Sequence, residues 1–166
     1  MKKSITLIGM AGAGKSTIGQ SLAQVLKFNF LDGDKIIEEE INRPIQSFLD
    51  QKGREEFTKI EESILLSIKF NKTILATGGS AILCDSAMEF IRTESEVVFL
   101  DVSYENISKR ITNLSERGLV KGPNQTLLET YNERMSLYKK YADHVVINNG
   151  DIDSCLKDLI VLAKSF

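Results

Sequence analysis

The nine residues from Gly9 to Thr17 constrain this chain more than any other feature, with the sequence GMAGAGKST. They fit the phosphate-loop pattern G-x-x-x-x-G-K-[ST], and they lie between a predicted strand at 4–8 and a predicted helix at 15–26. Glycines let backbone N–H groups converge on phosphate oxygens, and the start of the helix adds the positive end of its dipole. The pattern therefore predicts that a nucleoside triphosphate is bound by Gly12, Ala13, Gly14, Lys15, Ser16 and Thr17.

Short apolar runs alternate with helical patterns along the rest of the chain, which predicts an α/β fold with a five-stranded parallel sheet flanked by helices. The strands are expected at 4–8, 28–32, 73–76, 96–101 and 144–147, each buried on both faces. Further helices are expected at about 44–51, 54–70, 104–112 and 127–142, and a last one after Asp151 or Asp153. The polar stretch at about 113–125 predicts a lid, and residues 1–166 are expected to form one domain.

The charge and the cysteine content of the chain limit the kinds of molecule that it is expected to bind. A net charge of −2 gives no electrostatic footprint for nucleic acid or for an anionic membrane. The apolar run at the start is too short for a signal sequence or a membrane span, and the two cysteines have no metal-ligand spacing. We therefore expect a cytoplasmic protein without a nucleic-acid or membrane partner. We also expect it to act on a small molecule and to be a monomer, although the sequence itself carries no information on oligomeric state.

Two carboxylates follow the second predicted strand, in the run Phe30-Leu31-Asp32-Gly33-Asp34. Side chains at the C-terminal end of a parallel strand point into the crevice where such sheets bind ligands. Phosphoryl transfer needs positioning and positive charge more than covalent help, so one aspartate with a lysine, an arginine and Mg²⁺ is sufficient for a kinase. The chain contains no N-K-x-D motif of a GTPase. A simpler alternative is that Asp32 and Asp34 only cap the next helix.

Several motifs occur in an order that resembles the shikimate kinases. They are the phosphate loop, the F-x-D-x-D run, Gly53 with Phe57 and Glu61, Thr77-Gly78-Gly79, Arg110, Arg117, and Arg134 with Leu137-Tyr138. The resemblance implies a nucleoside-monophosphate-kinase-like fold with a substrate-binding helical segment at about 34–61. It also implies transfer of the γ-phosphoryl group of ATP, with Mg²⁺, to the 3-hydroxyl of shikimate in aromatic amino acid biosynthesis.

The resemblance also implies roles for single residues. Lys15, Asp34 and Arg117 would be catalytic, with Asp34 aligning the acceptor hydroxyl. Ser16 and Asp32 would hold the magnesium ion and its water shell. Gly78 and Gly79 would present backbone N–H groups to the substrate, Arg134 would bind its carboxylate, and Arg110 would lie against adenine. For Arg134, an ordinary solvated charge on a helix is the simpler alternative.

Three positions depart from the family pattern. Thr58 stands where the family has an arginine that grips the substrate carboxylate, Ser80 stands where it has a third glycine, and Gly118 stands where it has proline. Loss of one charge-assisted hydrogen bond, about 1.5–3 kcal/mol, would weaken carboxylate binding by about 10- to 150-fold. Arg54 lies one helical turn before Thr58, so we hypothesise that it reaches the pocket instead, oriented by Glu61.

Two other functions remain open from the sequence. In a paralogue that phosphorylates another small alcohol, such as a sugar acid or a hydroxy-amino acid, Thr58 and Ser80 would offer neutral hydrogen bonds to the substrate. The second alternative is an ATP-binding regulatory module without catalysis. The presence of Lys15, Asp34 and Arg117 together favours an enzyme over that module.

Overall fold

The computed structural model describes residues 4–111 and 119–166. Its five strands are β1 (Ile5–Ile8), β2 (Asn29–Asp32), β3 (Thr73–Ala76), β4 (Glu96–Asp101) and β5 (His144–Ile147). Its helices are α1 (Lys15–Leu26), α2 (Gly33–Ile41), α3 (Ile45–Ser67), α4 (Asp85–Glu94), α5 (Tyr104–Arg110), α6 (Leu127–Tyr141) and α7 (Ile152–Ala163), with one 3₁₀ turn at Ala81–Leu83.

The strands form one parallel sheet in the order β2-β3-β1-β4-β5, which confirms the predicted fold class. The three central strands are almost fully buried, because helices cover both faces of the sheet. The edge strands differ from the prediction. In β5, Val145 is 53% exposed and Ile147 is 65% exposed. An edge strand has a neighbour on one side only, so an apolar sequence does not guarantee that it is buried.

The segment at about 34–61, which was expected to bind the substrate, covers most of α2 and the larger part of α3, and α3 is bent at Gly53. That glycine has φ 77° and ψ 174°, which is not helical, so the two predicted helices meet there. Beyond the bend, Phe57, Glu61 and Ile64 are buried. There Glu61 lies beside Gly78 and Ser80, which follow β3.

Two helices were missed by the sequence reasoning. Helix α2 begins directly at the end of β2, with Asp32 as its N-cap, so no loop marks the boundary. Helix α4 has no side-chain hydrogen bond at its N-terminus, and Cys84 stands at the cap position. Its buried residues Ala87, Met88 and Ile91 follow a helical spacing, and this spacing is the feature of the sequence that could have predicted α4.

A small second core lies beside the main one and borders the ligand side of the sheet. It joins α2, α3 and the segment after residue 118, through the buried residues Ile37, Ile45, Phe48, Phe57, Ile64 and Val120. The C-terminal ends of β1 and β3 face the space between the two cores. In the described ranges, no helix combines the length and apolar character needed to cross a membrane.

Candidate active site

The phosphate loop leaves the end of β1 and runs into α1, in the context that the sequence predicted. Gly12 and Gly14 have φ angles of 80° and 90°, in the left-handed region where a side chain is strained. A Cβ at Gly14 would in addition lie 3.2 Å from Nδ2 of Asn148. The loop conformation therefore requires glycine at these two positions.

Lys15 is buried inside the loop that it follows. Its Nζ donates hydrogen bonds to the carbonyl oxygens of Gly9 at 2.7 Å and Met10 at 2.8 Å. Burial lowers the pKa of Lys15 to about 8, although the negative charges of Asp34 and Asp32 oppose that shift. The ammonium group thus lies within electrostatic reach of both carboxylates that the sequence singled out.

Two further side chains hold carbonyl groups of the loop from outside. Arg110 Nη1 donates to the carbonyl of Gly12 at 3.4 Å, and Asn148 Nδ2 donates to that of Ala13 at 2.8 Å. The first N–H groups of a helix have no acceptor within the helix. With its carbonyls engaged by the protein, the loop presents N–H groups and the α1 dipole to an anion, as phosphate binding requires.

The two aspartates of the F-x-D-x-D run occupy different positions. Asp32 caps α2, accepting a hydrogen bond from the backbone N–H of Lys35 at 3.3 Å, and its second carboxylate oxygen is not used by this cap. Asp34 lies in the first turn of α2, exposed to the cleft that it lines. The protein surrounds its carboxyl closely enough for lost hydration to raise the pKa of Asp34, while Lys15 opposes the shift.

Residues 78–80 follow β3 as the floor of the cleft, where Gly79 and Ser80 are lining residues and Gly78 is not. A Cβ at Gly78 would lie 2.6 Å from Asp34 Oδ1 and 2.9 Å from Glu61 Oε1. A Cβ at Gly79 would lie 3.1 Å from the backbone nitrogen of Ala11, which belongs to the phosphate loop. Only glycine lets this backbone approach two carboxylates and the phosphate loop at once.

Ser80 and Glu61 form a buried pair on this floor, and the role of Glu61 was underestimated from sequence. The Ser80 hydroxyl donates to Glu61 Oε2 at 2.7 Å, whereas Oε1 is buried with no hydrogen-bond partner among the described residues. Burial raises the pKa of Glu61 to about 7, with the Ser80 hydrogen bond and the charge of Arg134 opposing the shift. The hydroxyl of Ser80 is therefore engaged with Glu61.

Arg134 projects from α6 and is only 2% exposed, so the alternative of a solvated surface charge is wrong. One of its terminal nitrogens donates to the carbonyl of Val120. The other, Nη1, has no partner in the part of the chain that the structure describes, and it lies 3.6 Å from the Cβ position of Gly79. A buried guanidinium with an unpaired N–H is suited to bind a carboxylate.

Most of these residues line one cleft of about 460 Å³, whereas Asp32, Glu61, Gly78 and Asn148 are not among its lining residues. Sequence reasoning named most of its lining: Gly12, Gly14, Lys15, Ser16, Thr17, Asp34, Gly79, Ser80, Arg110 and Arg134. The other lining residues are Ala11, Phe57, Thr77, Leu119 and Val120, of which Phe57 and Thr77 were noted only as parts of family motifs and not as site residues. A volume of this size suits a small ligand beside a phosphate group.

Arg54 and Thr58 are not among the residues that line this cleft. Arg54 is exposed and lines a neighbouring cavity of about 440 Å³ with Lys121, Gly122 and others. The Thr58 hydroxyl donates to the carbonyl of Arg54 at 2.9 Å, within its own helix. Glu61 bonds Ser80, so this placement argues against the expectation that Glu61 orients Arg54 into the pocket.

Arg117 and Gly118 lie outside the described residues, as does most of the first half of the predicted lid at about 113–125. The described part of that stretch begins at Leu119, which lines the cleft. Arg110 contacts both the phosphate loop and a third cavity of about 510 Å³, which Thr17 and residues 150–153 also line.

Comparison with known proteins identifies one family. A family model described as shikimate kinase matches residues 11–162. A shikimate kinase of Clostridium botulinum (strain Eklund 17B / Type B) is 36% identical over 160 residues, which are 96% of each chain. One from Francisella tularensis subsp. novicida is 38% identical over 152 residues, 89% of this chain and 86% of that one. The solved shikimate kinase of Acinetobacter baumannii in complex with shikimate superposes with a TM-score of 0.87 at 30% identity, covering 99% of this chain and 95% of that one.

Proposed function

The chain belongs to the shikimate kinase family, and from that membership we infer that it transfers the γ-phosphoryl group of ATP to the 3-hydroxyl of shikimate. It is an ATP-dependent phosphotransferase that phosphorylates shikimate in aromatic amino acid biosynthesis. The observation that carries the residue roles below is one shared cleft, in which Lys15, Asp34 and Arg134 face the space beside the phosphate loop.

Asp34 is proposed to align the acceptor hydroxyl. The hydroxyl oxygen bonds to the γ-phosphorus, the bond from that phosphorus to the β,γ-bridging oxygen breaks, and ADP leaves with the electron pair. The hydroxyl proton passes to the Asp34 carboxylate. A carboxylate with a raised pKa accepts a proton more readily than an ordinary one. Alignment of the hydroxyl contributes more, because in the loose transition state the attacking oxygen has formed little of its bond to phosphorus and carries little charge.

Positive charge on the transferring group is proposed to come from Lys15 and Arg117. Lys15 can exchange its bonds to the Gly9 and Met10 carbonyls for phosphate oxygens, since an ammonium group has three rotatable donors on a flexible stem. Arg117 keeps the role that the family resemblance gives it. Arg110 is proposed to lie against the adenine, because it contacts the phosphate loop and lines the cavity next to it.

Arg134 is proposed as the main carboxylate-binding group, with the backbone of Gly78 and Gly79 beside it. Its unpaired, buried Nη1 supports this role. With threonine at position 58, Arg134 is the only arginine from α3 or α6 among the residues that line the described cleft. Ser80 then acts on the substrate indirectly, by fixing Glu61 near Arg134, and a direct part for Arg54 or Thr58 would require these side chains to move.

Magnesium is proposed as the second cofactor, supplying charge neutralisation at the phosphates. The donors present are hard oxygens, as Mg²⁺ prefers: the exposed Ser16 hydroxyl at the start of α1 and the Asp32 carboxylate at the start of α2. Asp32 is close enough to Lys15 and Asp34 to influence the pKa of both, which supports a role for it beside the phosphates. Ser16 would bind the ion, and Asp32 would orient its water shell.

The remaining expectations are proposals of the same kind. We propose that residues 1–166 form one domain, that the enzyme is a cytoplasmic monomer, and that it has no nucleic-acid or membrane partner. Sedimentation at micromolar concentration tests the oligomeric state, and fractionation of cells tests the location.

A coupled assay of ADP release tests the function, with shikimate compared against sugar acids, polyols and hydroxy-amino acids. Turnover should be highest with shikimate, and phosphorus NMR of the product should place the phosphate on the 3-hydroxyl. Turnover with another alcohol and none with shikimate would favour the paralogue. ATP binding without turnover on any alcohol would favour the regulatory module.

A further inference from the structure

Asn148 is a buried residue at the junction of the sheet and the phosphate loop. It directly follows β5 and is 2% exposed. Its backbone N–H donates to the carbonyl of Asp101 at 2.8 Å, which continues the pairing between β4 and β5. The backbone of Asn148 is therefore fixed by the sheet, and its side chain starts from a rigid position.

The side chain of Asn148 contacts two successive residues of the phosphate loop. Nδ2 donates to the carbonyl of Ala13 at 2.8 Å, and a Cβ on Gly14 would lie 3.2 Å from the same nitrogen. This bond directs the Ala13 carbonyl towards β5. A carbonyl rotated to the other side would place its negative end towards the phosphates, so the bond favours the anion-binding conformation of the loop.

The backbone carbonyl of Asn148 makes a second connection. It accepts a hydrogen bond from Arg110 Nη2 at 2.9 Å, while Nη1 of the same guanidinium donates to Gly12 at 3.4 Å. One residue thus contacts the loop directly through Ala13 and indirectly, through Arg110, at Gly12. The cavity of about 510 Å³ beside the loop is lined by Asn148, Arg110 and Thr17, among others.

The stability of the fold alone does not explain why an asparagine stands at position 148. Asn148 Oδ1 is buried and has no hydrogen-bond partner among the described residues. A buried acceptor without a partner destabilises the fold, which offsets what the bond to Ala13 contributes. The arrangement is better explained by what the donor end does to the loop.

We propose that Asn148 is a positioning residue for the nucleotide, which holds the phosphate loop and Arg110 in the arrangement that binds ATP. The inference rests on the proposed function, because it takes the loop to be the ATP site. It assigns Asn148 no contact with shikimate and no part in proton transfer. Loss of its side-chain amide should therefore weaken nucleotide binding selectively.

Two substitutions test this proposal. Asn148→Ala removes the donor, and Asn148→Asp keeps the shape of the side chain but replaces the donor with a negative charge. We expect the dissociation constant for ADP to rise by about 2- to 10-fold in Asn148→Ala, and by at least as much in Asn148→Asp. The KM for ATP should rise with it, while kcat and the KM for shikimate stay within about twofold of wild type.

Asn149→Ala is the matched control. Asn149 is exposed in the same turn, and its Oδ1 accepts from the Ser103 N–H at 2.8 Å and from Asn106 at 3.1 Å. Its ADP affinity should equal that of wild type. If Asn148→Ala fails to fold, Asn148→Ser gives the answer, because it keeps a polar side chain that is too short to reach the Ala13 carbonyl.

The proposal is wrong if ADP binds the Asn148 variants as tightly as wild type, if Asn149→Ala loses the same affinity, or if ADP and shikimate affinities fall together. Calorimetry with ADP needs no turnover, which separates this result from the test of function. Weakened ADP binding in an enzyme that does not phosphorylate shikimate would overturn the proposed function and leave the role of Asn148 intact. Normal shikimate turnover with unchanged ADP affinity in the Asn148 variants would support the proposed function and overturn the role of Asn148.

Discussion

Ser80 donates a hydrogen bond of 2.7 Å to Glu61 Oε2, and both side chains are buried on the floor of the cleft. This bond lowers the pKa of Glu61, which burial otherwise raises, so that it lies at about 7. The ionisable groups that face Glu61 are Asp34, Arg134, Tyr138 and Cys84. Among these Arg134 is the cation, so ionised Glu61 is its natural counterion.

Ser80→Ala should therefore raise the pKa of Glu61. A hydrogen bond to a charged group is worth about 1.5–3 kcal/mol, which corresponds to an upward shift of about one to two pH units. At neutral pH the protonated form would predominate, and Arg134 would lose the negative charge that positions it. We expect the acidic limb of kcat/KM for shikimate to move to higher pH, and the KM at neutral pH to rise by about 3- to 10-fold.

Ser86→Ala is the matched control for that substitution. The Ser86 hydroxyl also donates to a glutamate of α3, Glu62, but this pair lies outside the cleft. Its pH profile with shikimate should be the same as that of wild type. An unmoved acidic limb in Ser80→Ala would remove the assigned link between Ser80, Glu61 and Arg134.

Glu61→Gln should stabilise the protein at high pH and not at low pH. The pKa of Glu61 is raised from 4.5 to about 7, so its carboxyl favours folding at low pH and loses that contribution as the pH rises between these two values. The loss is on the order of 3 kcal/mol, and glutamine does not titrate. Urea unfolding at about pH 5 and about pH 8 should show the variant gaining stability relative to wild type by roughly that amount.

Glu62→Gln, at the next position of α3, is the matched control for removing one carboxylate from this helix. An equal stability difference between Glu61→Gln and wild type at both pH values would mean that Glu61 does not titrate in this range. The gain in stability should come with a higher KM for shikimate, because the counterion of Arg134 is lost.

Lys15 should make nucleotide binding depend on pH in the alkaline range. Burial lowers its pKa to about 8 in the free protein, and only the protonated form can neutralise a phosphate. Above that pH the affinity for ADP should fall by up to about tenfold per pH unit. In Lys15→Arg the fall should disappear, since arginine stays protonated, even if the affinity at neutral pH is lower. The same alkaline fall in both proteins would assign the titration to another group.

Asp34→Asn should remove turnover and leave ADP binding nearly intact. Loss of the aligning carboxylate is expected to lower kcat by about 10²- to 10⁴-fold. Asp50→Asn is a control on α3, because Asp50 lines the neighbouring cavity and not the cleft. Weakened binding of ADP in Asp34→Asn, measured by calorimetry, would show that the residue serves the nucleotide instead.

The sheet and the phosphate loop were predictable because local rules decide them. Each predicted strand agrees with the observed one within a residue, since parallel strands in an α/β fold are short apolar runs between helices. Lys15 needs only the G-x-x-x-x-G-K pattern to be recognised. The edge position of β5 is not encoded in its own residues, since it depends on the order of the strands.

Side-chain partners between distant elements could not be predicted in the same way. Asn148 and Ala13 are 135 positions apart, and Asn148 belongs to no motif that suggests its contact. Arg54 shows the converse difficulty. A helical spacing of four puts Arg54 and Thr58 on adjacent turns, but the bend at Gly53 decides what that surface faces. Glu61 was recognised as part of a family motif, yet only the fold revealed Ser80 as its partner.

Variants of Arg54 and Arg134 can show which of the two arginines compensates for the arginine missing at position 58. Because Arg54 is exposed and lines the neighbouring cavity, Arg54→Ala should change the KM for shikimate by no more than about twofold. Arg134→Lys keeps a charge but loses the planar pair of donors, so the same KM should rise by about 10- to 100-fold with little change in the KM for ATP. The melting temperature of each variant separates these effects from unfolding, since Arg134 also holds the Val120 carbonyl. A strong rise in KM for Arg54→Ala would instead mean that Arg54 moves into the cleft when shikimate binds, and that the arrangement around Ser80 and Glu61 is not the one that receives the carboxylate.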